Sequence, residues 1–123
     1  MPLLPNPPLQ PLRIPSGWQI AYNQFFDVEP DSATEACSES WWHFNEDMLQ
    51  LTNVQRGLLL DLGWYPEHQP DGCFRLVLIQ LTSNEDDMIA AWNHPFAAYE
   101  SSSRHDVVMT IEAWLHNLPS KTK

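Results

Sequence analysis

Five histidines, two cysteines and sixteen carboxylates are the side chains with which this chain of 123 residues could do chemistry. Neutral imidazole is the commonest metal ligand, and His43 with Asp47, or His68 with Asp71, has the spacing of a local site. Both pairs lie in stretches that read as turns, where His and Asp more often satisfy nearby backbone groups, so no metal is expected. Cys37 and Cys73 belong to no CxxC or CxxCH motif, and two free thiols are expected in place of one disulfide. Ser103-Arg104-His105-Asp106 is too local for a nucleophilic triad, and Ser103 reads instead as a helix cap. The four glycines are isolated, no phosphate-cradling motif occurs, and no cofactor is expected. Glu46-Asp47 and Glu85-Asp86-Asp87 are neighbouring carboxylates in predicted loops, with nothing to push their pKa values apart for acid–base work. They read as a solvated acidic edge or, more sharply, as a contact surface for a basic protein partner. No enzyme is indicated.

Charge narrows the classes further. Six Lys and Arg against sixteen Asp and Glu leave a formal net charge of −10, which repels phosphate backbones and anionic lipid headgroups. Nucleic-acid binding and a peripheral membrane role are both disfavoured. A hydrophobic content of 43% with six tryptophans nevertheless supplies a core for one domain of this size. The first residues lack a basic region and are broken by Pro2, Pro5, Pro7, Pro8 and Pro11, unlike a signal peptide. No apolar run approaches the ~18 residues of a membrane span. A soluble, cytoplasmic protein is the expectation.

The elements that must position these residues follow from periodicity. Residues 1–15 hold six prolines and read as an extended, unpacked arm, with residues 16–123 as a single domain. Trp18, Ile20 and Tyr22 alternate with polar or small residues, predicting a strand from Gly17 to about Phe26 with these three on one face. Residues 27–40 read as a loop or one short helical turn. Trp41–Phe44 and Met48–Leu51 read as two arms of a hairpin around Asn45-Glu46-Asp47. Leu58–Tyr65 and Phe74–Thr82, joined through Pro70-Asp71-Gly72, form the clearest antiparallel pair. Residues 83–87 read as an acidic turn, and Met88–Trp92 and Phe96–Glu100 as two further strands broken at Pro95. Val107, Val108, Ile111, Trp114, Leu115 and Leu118 recur at helical spacing after Ser103 and before Pro119. The sum is an α+β fold, an antiparallel sheet of about five strands with a C-terminal helix packed on one face.

Tryptophan is the most unusual feature of the composition. Trp64 and Trp114 read as core, whereas Trp41 and Trp42, as neighbours in a strand, would face opposite ways and leave one exposed as a binding anchor.

Four runs carry a family resemblance: Arg13-Ile14-Pro15-Ser16-Gly17-Trp18, Leu60-Asp61-Leu62-Gly63-Trp64-Tyr65-Pro66-Glu67, Phe74-Arg75-Leu76-Val77-Leu78, and Ser103-Arg104-His105-Asp106-Val107-Val108 ahead of Ile111-Glu112-Ala113-Trp114-Leu115. Over residues 13–118 the chain resembles the small immunity proteins of bacterial contact-dependent growth inhibition and related polymorphic toxin systems. The resemblance implies a cytoplasmic protein that binds and neutralises one cognate toxin domain, often a nuclease. It transfers no binding residue, because interface position varies within the family. A −10 protein suits the basic cleft of such a toxin through steering and charge complementarity. Two alternatives stand beside it. A generic interaction or scaffold module would use the proline arm and a sheet edge, and a small hydrolase or metal enzyme would need His43, His68, His94 or His105 to converge with carboxylates.

Overall fold

The computed structural model describes residues 7–30 and 38–119. The first six residues of the arm, the segment 31–37 with Cys37, and Lys121 and Lys123 lie outside the described residues. Five strands form one antiparallel meander in the order β1 to β5: β1 Gln19–Asn23, β2 Leu49–Asn53, β3 Leu58–Tyr65, β4 Cys73–Gln80 and β5 Ala97–Ser101. Two helices complete it, α1 at Glu85–Asn93 and α2 at Arg104–His116. The expected α+β architecture, with its C-terminal helix, is what forms.

Alternation along the strands sorts their side chains onto two faces. Leu49, Leu51, Leu60, Leu62, Trp64, Phe74, Leu76, Leu78 and Ala97 point to one face and join Val107, Ile111 and Leu115 of α2 in the main core. Those three helix residues repeat at i, i+4 and i+8, the stripe read from the sequence. Ser103 caps α2 by accepting from the Asp106 amide at 3.2 Å. Trp114 lies at the margin of this core, only half-buried, and Leu118 is exposed. On the opposite face Leu59, Val77 and Ile79 form a smaller cluster against Met88 and Ala91 of α1. The β2–β3 connection turns at Gly57, whose φ of +66° is left-handed and favours glycine.

Two predicted strands are helical instead. Glu39–His43 is a 3-10 helix, and Trp41 and Phe44, three residues apart, both enter the core beside Trp64. Helical spacing therefore wins over the hairpin, and β2 pairs with β1 and β3. Trp42 is 67% exposed and lies against His68. One tryptophan of the pair is indeed exposed, but through helical geometry. Residues 88–92 belong to α1: the Asn84 side chain accepts from the Asp87 amide at 3.1 Å, so Glu85, Asp86 and Asp87 form a first helical turn in place of a loop. Carboxylates there are favoured by the unsatisfied N–H groups of the helix start.

The described part of the arm is held down. Leu9 bridges to Phe26, the Gln10 amide donates to the Phe25 carbonyl at 2.8 Å, and Leu12 and Ile14 pack against the main core. The Arg104 guanidinium, at the start of α2, donates to Gln10, Asp27 and Glu29, and the Arg13 amide donates to Glu112 at 2.8 Å. Deleting residues 1–12 removes the bridge and the Leu12 contact and should lower stability by about 1–3 kcal/mol. A thermal or urea melt checks this, and a melt unchanged from the parent would show the arm to be energetically idle.

Candidate functional site

The face of the sheet that carries α1 is only partly covered, and its open part is polar. Register explains how the polar side chains reach it. A bulge between Ile20 and Tyr22 sets Ile20 opposite Leu51 but Tyr22 opposite Gln50. The extra residue turns Tyr22 to the face opposite the one that strict alternation assigns it, beside Asp61. Asp61 is the centre of a row across three strands, paired to Gln50 on β2 and Val77 on β4. Gly63, two residues along β3, admits the backbone of the Asn45–Asp47 segment. A Cβ at Gly63 would lie 2.2 Å from the Glu46 carbonyl oxygen, so any other residue would push this segment off the sheet. The Trp64 amide holds the same segment by donating to the Asn45 carbonyl at 2.8 Å.

Two clefts result. One of about 480 Å³ is lined by Asp61, Tyr65, Cys73, Arg75, Val77, Trp92, Asn93 and Glu100. The other, about 630 Å³ and more open, is lined by Tyr22, Gln24, Asn45, Glu46, Asp47, Gln50 and Glu67. The Tyr22 hydroxyl joins the two, lying 3.2 Å from Asp61 Oδ2 and 3.4 Å from Asp47 Oδ1. Five carboxylates line the two clefts and Arg75 is the one cation among those lining residues.

Asp61 is the electrostatic focus. It is only 7% exposed, in the middle of the central strand, and no described Arg or His lies within 4.0 Å of it. Gln50 Nε2 and the Tyr22 hydroxyl donate to its Oδ2, both at 3.2 Å, and no described residue donates to Oδ1. Burial pushes the Asp61 carboxyl above the ordinary carboxylate range, the two hydrogen bonds pull it back in part, and the charge of Asp47 pushes the same way as burial. Burial, Asp61 and Asp47 likewise push the Tyr22 phenol far up, so it stays protonated. Its single proton cannot serve two ionised carboxylates at once. Tyr65 is raised by burial and by Asp61, Glu46 and Asp47, with Arg75 opposing. The free thiol of Cys73, raised by burial and by Glu100 at 3.6 Å, is a poor nucleophile.

Of the residues marked in the sequence, Glu46 and Asp47 do line a cleft, alongside Tyr22 and Glu67. Glu85, Asp86 and Asp87 are exposed at the far end of α1 from Trp92 and line neither. The histidines do not converge: His43 lies on Phe26, His68 on Trp42, His94 caps α1, His105 opens α2, and His116 contacts the Glu112 carbonyl. Among the described residues no three His, Cys, Asp or Glu side chains come together in a group that could hold a metal ion. Asp61, Tyr22, Tyr65, Trp92 and Glu100 were not singled out as site residues. The available signal was Asp61 itself, a lone carboxylate inside Leu58-Leu59-Leu60-Asp61-Leu62. Comparison with protein-family models, curated proteins and solved structures found no match. Among the described residues no helix is long and apolar enough to cross a membrane.

Because the folded protein holds the Asp61 proton to higher pH than the unfolded chain does, the folded state gains from protonation. That contribution is lost as pH rises from the ordinary carboxylate range through the folded value. Asp61→Asn removes the cost of ionising this side chain. The variant should melt a few degrees above the parent at pH 7, with the gap closing towards pH 3. Parallel melting curves against pH check it, and a parent as stable as the variant at neutral pH would show that ionised Asp61 carries no penalty.

Proposed function

We propose that this chain is an immunity protein, acting in the bacterial cytoplasm, that neutralises a cognate toxin domain by stoichiometric binding. The observation that carries the reading is Asp61, a carboxylate more than nine-tenths buried, with no cationic partner among the described residues and on the wall of an acidic cleft. A group that costs stability in the free protein is expected where binding supplies the missing charge. Glu46, Asp47 and Glu67 around the second cleft, and Glu85, Asp86 and Asp87 along α1, extend the same negative field and would steer a basic partner. Tyr22, Tyr65, Trp92 and exposed Trp42 supply the aromatic surface that dominates binding energy in protein interfaces. The resemblance to immunity proteins of contact-dependent inhibition supplies the class of partner, a toxin domain with a basic, nuclease-like cleft.

The test is co-expression with the product of the gene immediately upstream, scored by growth and by pull-down. A complex that restores growth and weakens with added salt is the expected result. Glu46→Lys combined with Asp47→Lys should weaken that complex roughly tenfold or more while leaving the fold intact. No toxicity and no complex would overturn the toxin reading and favour a generic interaction module.

A further inference from the structure

The cleft of about 480 Å³ has a composition that selects one kind of occupant, and the assignment deepens the reading above, on which it rests. Its lining combines the nearly buried Asp61, a second carboxylate at Glu100, the aromatic rings of Trp92 and Tyr65, and the apolar side chain of Val77. The three strands set these groups in order. Asp61 lies directly opposite Val77, while Arg75 lies opposite Glu100 one row away. Trp92, 41% exposed near the C-terminal end of α1, stands over this part of the sheet. The cleft is therefore a negatively charged recess with an aromatic wall, and Asp61 Oδ1 has no donor among the described residues.

We propose that this cleft seats the guanidinium of an arginine side chain projecting from the partner, with Asp61 accepting its N–H groups and Trp92 covering its planar face. Guanidinium suits these walls better than ammonium: it is planar, weakly hydrated, donates through a rigid fork and stacks on aromatic rings. The volume is ample for one such side chain. The chain's own Arg75 does not fill the role. It forms no ion pair within 4.0 Å among the described residues and bears instead on Tyr65 and Cys73. As the one cation lining the cleft it opposes entry, so its removal should improve binding.

The experiment uses the whole chain and N-acetyl-argininamide as probe, followed through the indole N–H resonance of Trp92, which Trp92→Phe assigns. Saturable shifts are expected with this probe. N-acetyl-citrullinamide, the uncharged isostere, and N-acetyl-lysinamide should bind at least several-fold more weakly. Asp61→Asn should weaken the arginine probe roughly tenfold or more, and Arg75→Gln should tighten it several-fold. No saturable shift, equal response to the lysine or citrulline probe, or full binding by Asp61→Asn would overturn the proposal. Because the probe is a small molecule, its failure leaves the toxin complex standing or falling on the co-expression result alone.

Discussion

Seven of the eight residues of β3 are buried, so the central strand must be covered on both faces along nearly its whole length. A strand in that position is normally an uninterrupted apolar run. On one side the requirement is met by leucines of the main core and by Trp64 packed against Trp41, Phe44 and Phe74, on the other by Leu59 in the cluster with α1 and by Gly63 under the Asn45–Asp47 backbone. Asp61 breaks the run. Its position in the middle of the strand means it cannot turn to bulk solvent without moving the strand, so the surrounding structure has to supply its hydrogen bonds. Gln50 and Tyr22 do this without neutralising its charge.

The bulge in β1 is the second device that the site depends on. One added residue moves Tyr22 from the core side of an edge strand to the carboxylate side, where its hydroxyl spans Asp61 and Asp47. The same face keeps Gly63 free of a side chain and so lets Glu46 and Asp47 stand over the sheet. Clefts on this face are a consequence of incomplete cover: α1 spans nine residues and packs on the Leu59, Val77 and Ile79 part of the sheet, with Trp92 and Asn93 at the margin of one cleft. What remains open is lined by charged, polar and aromatic groups.

The opposite face is closed from several directions at once. Helix α2 contributes its apolar stripe, the 3-10 helix contributes Trp41, and the described part of the arm is drawn in by Arg104 and Glu112. Arg104 is committed to that structural role by Asp27 and Glu29, which leaves the cleft face with Arg75 as its lining cation. Asp27 and Glu29 on the packed side thus have an arginine to pair with, whereas, among the described residues, the five carboxylates that line the clefts share one lining cation that pairs with none of them.

The sequence by itself determined the elements whose pattern is local. Alternation in Leu58–Tyr65 and Cys73–Gln80, with a proline and glycine turn between them, leaves one antiparallel pairing, and the stripe from Val107 to Leu115 behind a Ser103 cap leaves one helix. The overall charge likewise pointed away from nucleic acid. Short elements were ambiguous because four or five apolar residues fit either period. Trp41 to Phe44 became helical once the i, i+3 pair had a core to enter, and Met88 to Trp92 once Asn84 capped the acidic turn before it. The site was decided by tertiary structure alone. A carboxylate on a strand becomes unusual only when neighbouring strands and a tyrosine turned by a bulge bury most of it, and none of those contacts is encoded near Asp61 in the chain.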